Sequence, residues 1–133
     1  MSRRTVCSVM VLSLVCCLFT ACNRGPKVVP VTGRVTRGGK PIPGVTVMFR
    51  PDNPKGQVYL GGTGPEGHFT LMSVYSKFGV EPGEYVVSFN TPEGSAGGKM
   101  IPQRLTGPTS VWRIKVADAP LDIELDVLKD QPQ

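Results

Sequence analysis

Trp112-Arg113-Ile114-Lys115-Val116-Ala117-Asp118-Ala119-Pro120-Leu121-Asp122-Ile123-Glu124-Leu125-Asp126-Val127 decides the fold class. Apolar and charged residues alternate strictly on both sides of Pro120. Successive side chains of a strand point to opposite faces, so this period of two marks half-buried strands. A helix would need the apolar pattern i, i+3, i+4, i+7, which the strict alternation does not supply. Four residues separate Val116 from Leu121, which is the length of a hairpin loop. The expected hairpin sets Lys115 opposite Asp122 and Arg113 opposite Glu124, as register-fixing charge pairs.

The same period runs back through the chain. Val29, Val31, Gly33 and Val35 share one face; Val45, Val47 and Phe49 alternate with Thr46, Met48 and Arg50; Tyr85, Val87 and Phe89 alternate with Val86, Ser88 and Asn90. Shorter strands are expected at Gln57 to Leu60 and His68 to Leu71. Gly38-Gly39, Pro51 to Gly56 and Gly61 to Gly67 punctuate them as turns. About seven short strands at this spacing predict an all-β fold over residues 28–129, an Ig-like β-sandwich of antiparallel strands or a small barrel. Trp112 is expected between the sheets. Ser76 to Gly83 and Thr91 to Ser110 are the long connections. In the second, Ile101, Pro102 and Leu105 are expected to clip the second half onto the sandwich, and Thr91 to Gly98, with Gly94-Ser95-Ala96-Gly97-Gly98, to be flexible; a connection this long is either functional, as a place for partner binding, or mobile. Residues 130–133 form a C-terminal tail.

The beginning of the chain follows another logic. Ser2-Arg3-Arg4 precedes the uncharged run Val6 to Phe19, which is too short to cross a bilayer and fits the apolar region of an export signal. It ends in Leu18-Phe19-Thr20-Ala21-Cys22, followed by polar Asn23-Arg24-Gly25-Pro26. Thr20, Ala21 and Cys22 resemble the end of a bacterial lipobox; Phe19 departs from the Leu usual at its place. The resemblance implies that residues 1–21 are removed and that Cys22 carries acyl chains, with residues 22–27 as a tether. It implies further that membrane lipid is the partner of Cys22 and that the protein is exported. Asn23, not Asp, follows the Cys, so the outer membrane is the expected site in a Gram-negative cell. An ordinary signal cut near Ala21 prefers small residues at both flanking positions, and Phe19 opposes it.

Removing residues 1–21 leaves 112 of the 133 residues, holding all 16 Gly and all 13 Pro. That content excludes a helical bundle, a coiled coil and a multidomain enzyme. Of the four Cys, Cys7, Cys16 and Cys17 leave with the signal. Cys22 alone remains, so neither an internal disulfide nor a thiolate metal site can form. The chain carries 15 Lys+Arg against 10 Asp+Glu, a net charge of +5. The basic residues are scattered from Arg24 to Lys129, without the clustered face that nucleic acid requires.

A second resemblance spans most of Val28 to Leu128. Val31-Thr32-Gly33-Arg34-Val35 and Gly39-Lys40-Pro41-Ile42-Pro43-Gly44-Val45-Thr46-Val47 resemble the opening of a carboxypeptidase regulatory-like domain. Thr63-Gly64-Pro65-Glu66-Gly67-His68-Phe69 is similar to its next landmark, with Gly64 in place of Asp. Pro82-Gly83-Glu84-Tyr85 matches the turn that follows. The resemblance implies a transthyretin-like sandwich and a non-catalytic, structural or interaction module without cofactor.

Candidate chemistry is sparse. His68 is the only histidine. It is expected to point outward from its strand, and a triad drawn with Asp52 and a serine lacks a Gly-x-Ser-x-Gly elbow. The related fold's 5-hydroxyisourate hydrolase relies on several histidines and a C-terminal Tyr-Arg-Gly-Ser, which this chain lacks. Metal binding needs three or four ligands, and Asp122, Glu124 and Asp126 read as a solvated face. No catalytic and no metal residue is expected. An envelope protein or glycan remains a candidate partner, and Tyr59 and Tyr75 are expected to be exposed platforms for a carbohydrate or peptide.

Overall fold

The computed structural model describes residues 25–133. The expectations for residues 1–24, including the signal and Cys22, lie outside the described residues. Nine strands follow in order: β1 (Val31–Arg37), β2 (Lys40–Pro41), β3 (Thr46–Pro51), β4 (Tyr59–Gly62), β5 (His68–Thr70), β6 (Met72–Ser73), β7 (Gly83–Asn90), β8 (Trp112–Val116) and β9 (Leu121–Asp126). Two are two-residue fragments, which leaves the seven expected strands; six lie where expected, and β4 is displaced by two residues, from the expected Gln57–Leu60 into the expected turn at Gly61 and Gly62. Two short 3-10 turns, Gly98–Met100 and Gln103–Leu105, are the only helical elements among the described residues.

The strands form two sheets. One runs β6-β4-β3-β7-β8, antiparallel throughout. The other is built on β1, with β2 and β5 antiparallel to it and β9 parallel. The fold is a β-sandwich whose core is the set of inward residues that the alternation picks out. Val31, Val35, Val47, Phe49, Val87 and Leu125 are completely buried. Trp112 lies between the sheets as expected, edge-on to Phe89 with ring centroids 5.8 Å apart. Its indole nitrogen, Nε1, is buried without a hydrogen-bond partner.

The expected β8–β9 hairpin is not formed. β8 pairs with β7, which sets Lys115 opposite Glu84 and Arg113 opposite Val86. β9 pairs with β1, which sets Asp122 opposite Thr32 and Glu124 opposite Arg34. The link Ala117 to Pro120 crosses from one sheet to the other. Thr32 and Thr36 donate their hydroxyls to Asp122 and Glu124 at 3.1 and 3.3 Å. The acidic row is a polar outer face, as expected, but its partners are threonines and Arg34. The all-antiparallel expectation fails for the same reason, because a crossover can place β9 parallel to β1 where a hairpin cannot.

Gly33 explains how closely β1 approaches its neighbours. A Cβ there would collide with the Ile123 carbonyl and stand 2.8 Å from Phe69 Cζ. The long connection is partly docked: Ile101 and Leu105 are buried, as expected, and so is Gly97 within the glycine-rich stretch. The tail folds back, with reciprocal backbone bonds between Gln133 and Glu124.

Candidate functional site

The register places four connections at one end of the sandwich. They are the segment entering β1, the loop after β3, the loop from Leu71 to Pro82 and the link from β8 to β9. This end receives the chain from residue 25 and is called the tether end after the tether expected at residues 22–27. The opposite end holds the turn before β5 and the Thr91 to Ser110 connection.

Local rules shape the tether end. Lys27 forms an ion pair with Asp118 at 2.7 Å, joining the entering segment to the β8–β9 link. Val29 and Val80 exchange both backbone bonds at 2.8 Å. Beyond β6 the chain makes a tight loop: Ser73 N–H donates to the Lys77 carbonyl, Ser76 N–H to the Ser73 carbonyl and Lys77 N–H to Ser73 Oγ. Ser76 takes the left-handed conformation, φ 59°, which closes such loops. Val74 and Tyr75 are thereby held at a fixed tip. Gly79, φ 101°, lets the loop return against the entering segment, since a Cβ there would stand 2.9 Å from Val28 Cγ2.

These contacts produce an exposed apolar surface. Val28, Val74, Tyr75 and Phe78 are four of the six large apolar residues exposed among the described residues, with Tyr75 at 78% and Phe78 at 68%. A cleft of about 350 Å³ opens beside them, lined also by Tyr59, Lys77 and Glu81. Two tyrosines brace its floor. Tyr59 OH accepts the Glu81 N–H at 3.2 Å, and Tyr85 OH donates to the Glu81 carbonyl at 2.7 Å. Burial pushes both phenols above their ordinary range. The second bond is a tyrosine corner, which fixes the entry of β7.

The residues singled out in the sequence disperse. Tyr75 is exposed as expected, but Tyr59 is 2% exposed and is a core residue, not a platform. Its ring points inward because β4 begins there, in phase with inward Gly61. His68 is exposed at the start of β5, opposite Arg34 on the outer face. Asp52 follows β3 at the tether end, paired with Arg113 at 2.7 Å. His68 and Asp52 therefore belong to different sheets and opposite ends, and no triad joins them. Among the described residues, no group of three His, Cys, Asp or Glu side chains is placed to hold a metal ion. Tyr75 was singled out in the sequence, but not the apolar cluster it forms with Val74 and Phe78. The cluster's signal was three large apolar residues within five positions that fit neither strand period.

No protein-family model, curated protein or solved structure matches this chain.

Proposed function

We propose that this protein is a lipid-anchored module of the cell envelope, a carboxypeptidase regulatory-like, transthyretin-like β-sandwich that acts by structure or protein interaction and not by catalysis. The observation that carries the reading is the apolar run Val6 to Phe19 ending in Thr20-Ala21-Cys22, directly ahead of a sandwich that begins at Val31. The dispersal of His68 and Asp52 supports a non-enzymatic role. Two or more acyl chains on Cys22 would hold the protein stably on a membrane. The test is the intact mass of protein extracted from cell envelopes. A chain beginning at Cys22 and carrying diacylglyceryl mass is expected. A chain with an unmodified Cys22 overturns the anchor.

A carbohydrate- or peptide-binding module is the second reading, favoured by Tyr75 beside the cleft. Enrichment of particular glycans or peptides on arrays, lost in Tyr75→Ala, would replace the first reading with it.

A further inference from the structure

Resting on the lipid anchor proposed above, we propose that the tether end of the sandwich docks on the lipid headgroup layer through Val28, Val74, Tyr75, Lys77 and Phe78. Three observations converge.

The first is reach. Two residues, 23 and 24, link Cys22 to Gly25, the first described residue, and the three Cα-to-Cα steps from Cys22 to Gly25 span at most ~11 Å. The headgroup region on each side of a bilayer is ~5–8 Å thick. Acyl chains on Cys22 therefore keep Gly25 within roughly one headgroup layer of the membrane surface. The chain from Gly25 onward is not a free linker. The Lys27–Asp118 ion pair and the Val29–Val80 bridge fix it to the end of the sandwich.

The second is composition. Most of the large exposed apolar residues sit at this end, and two are aromatic. Aromatic rings with a polar edge prefer the membrane–water boundary, and apolar residues on a fixed loop insert without ordering cost.

The third is charge. Asp118 and Asp52 are paired with Lys27 and Arg113, and Glu81, in the lining of the cleft, is a carboxylate without an ion pair among the described residues. Lys77, between Tyr75 and Phe78, has no ion-pair partner among the described residues, so it is available to anionic headgroups. The opposite end has no comparable grouping: Val111 and Leu128 are the remaining large exposed apolar residues.

The experiment uses the full chain, processed in bacteria and reconstituted into vesicles of phosphatidylethanolamine and phosphatidylglycerol. Val74→Cys and, at the far end, Glu66→Cys carry an environment-sensitive fluorophore, and brominated lipids serve as quencher. Intact mass is read on the same samples. Docking predicts several-fold stronger quenching at 74 than at 66. Adding Tyr75→Ser and Phe78→Ser, both at exposed positions, brings quenching at 74 down to the level at 66 with an unchanged denaturation midpoint.

Equal quenching at both positions in acylated protein overturns docking and leaves the anchor standing. Quenching at 74 that survives the double substitution shows nearness imposed by the tether alone, and also overturns it. Quenching at 74 only in uncleaved chain assigns the surface to residues 6–19 of the same protein. A mass without acyl groups removes the anchor, and docking with it.

Discussion

Tyr85 donates its phenolic hydrogen to the carbonyl oxygen of Glu81, four residues earlier, at 2.7 Å. The same peptide stretch donates the Glu81 N–H to Tyr59 OH. Two rings from β4 and β7, the strands on either side of β3, thus hold one residue of the connection into β7, and their centroids lie 5.9 Å apart in an edge-on arrangement. Tyr85→Phe keeps the ring and removes only the bond. Losing a part-buried hydrogen bond of this kind costs about 0.5–1.5 kcal/mol. The urea midpoint should fall while the slope of the transition stays constant. An unchanged midpoint would show that the bond contributes nothing net.

The two phenols also set the response to alkali. Burial is the largest cause of both upward shifts. The folded state therefore holds its phenolic protons more tightly than the unfolded chain, whose tyrosines ionise near pH ~10. Stability from this source is fully present below that pH. It declines as pH rises above it, because the unfolded state releases protons first. Urea midpoints taken across the alkaline range should fall, and Tyr85→Phe should fall less steeply than the parent.

Gly33 and Gly62 offer a matched pair. A Cβ at Gly33 meets the Ile123 backbone and the Phe69 ring, whereas one at Gly62 meets nothing within 4 Å. Overpacking of this kind costs ~1–3 kcal/mol. Gly33→Ala should lower the thermal midpoint clearly, while Gly62→Ala stays within about 0.5 kcal/mol of the parent. Equal effects would place β1 and β9 farther apart than described.

The crossing between sheets makes a prediction about charge. Lys115 lies opposite Glu84, not Asp122. A double-mutant cycle between Lys115 and Glu84 should return a coupling of about 0.2–1 kcal/mol at low salt. The cycle between Lys115 and Asp122 should return none. The reverse outcome would restore the hairpin.

Strand positions and their buried faces were legible because alternation is a local signal. Val47, Phe49, Val87 and Trp112 lie where the period places them. Pairing is not local. Four residues between Val116 and Leu121 suit a hairpin and a sheet crossing equally well, and opposite charges on both strands favoured the wrong choice. What decides between them is the edge of β1, where Gly33 admits β9 as a parallel neighbour. Tyr59 failed for a related reason: a four-residue strand is too short to reveal its own phase. The tether-end surface became visible only when the fold brought Val28 beside Phe78 and Gly79. Those residues are separated by some fifty positions of sequence.

The parallel β1–β9 pair fixes how the molecule resists force. β1 begins at the tether end and β9 finishes at the opposite one, with six register pairs between them. A pull on Gly25 against Val127 drags the two strands past each other along their lengths. Pulled between these two points, the ladder is loaded in shear, so its bonds must fail together and not one at a time.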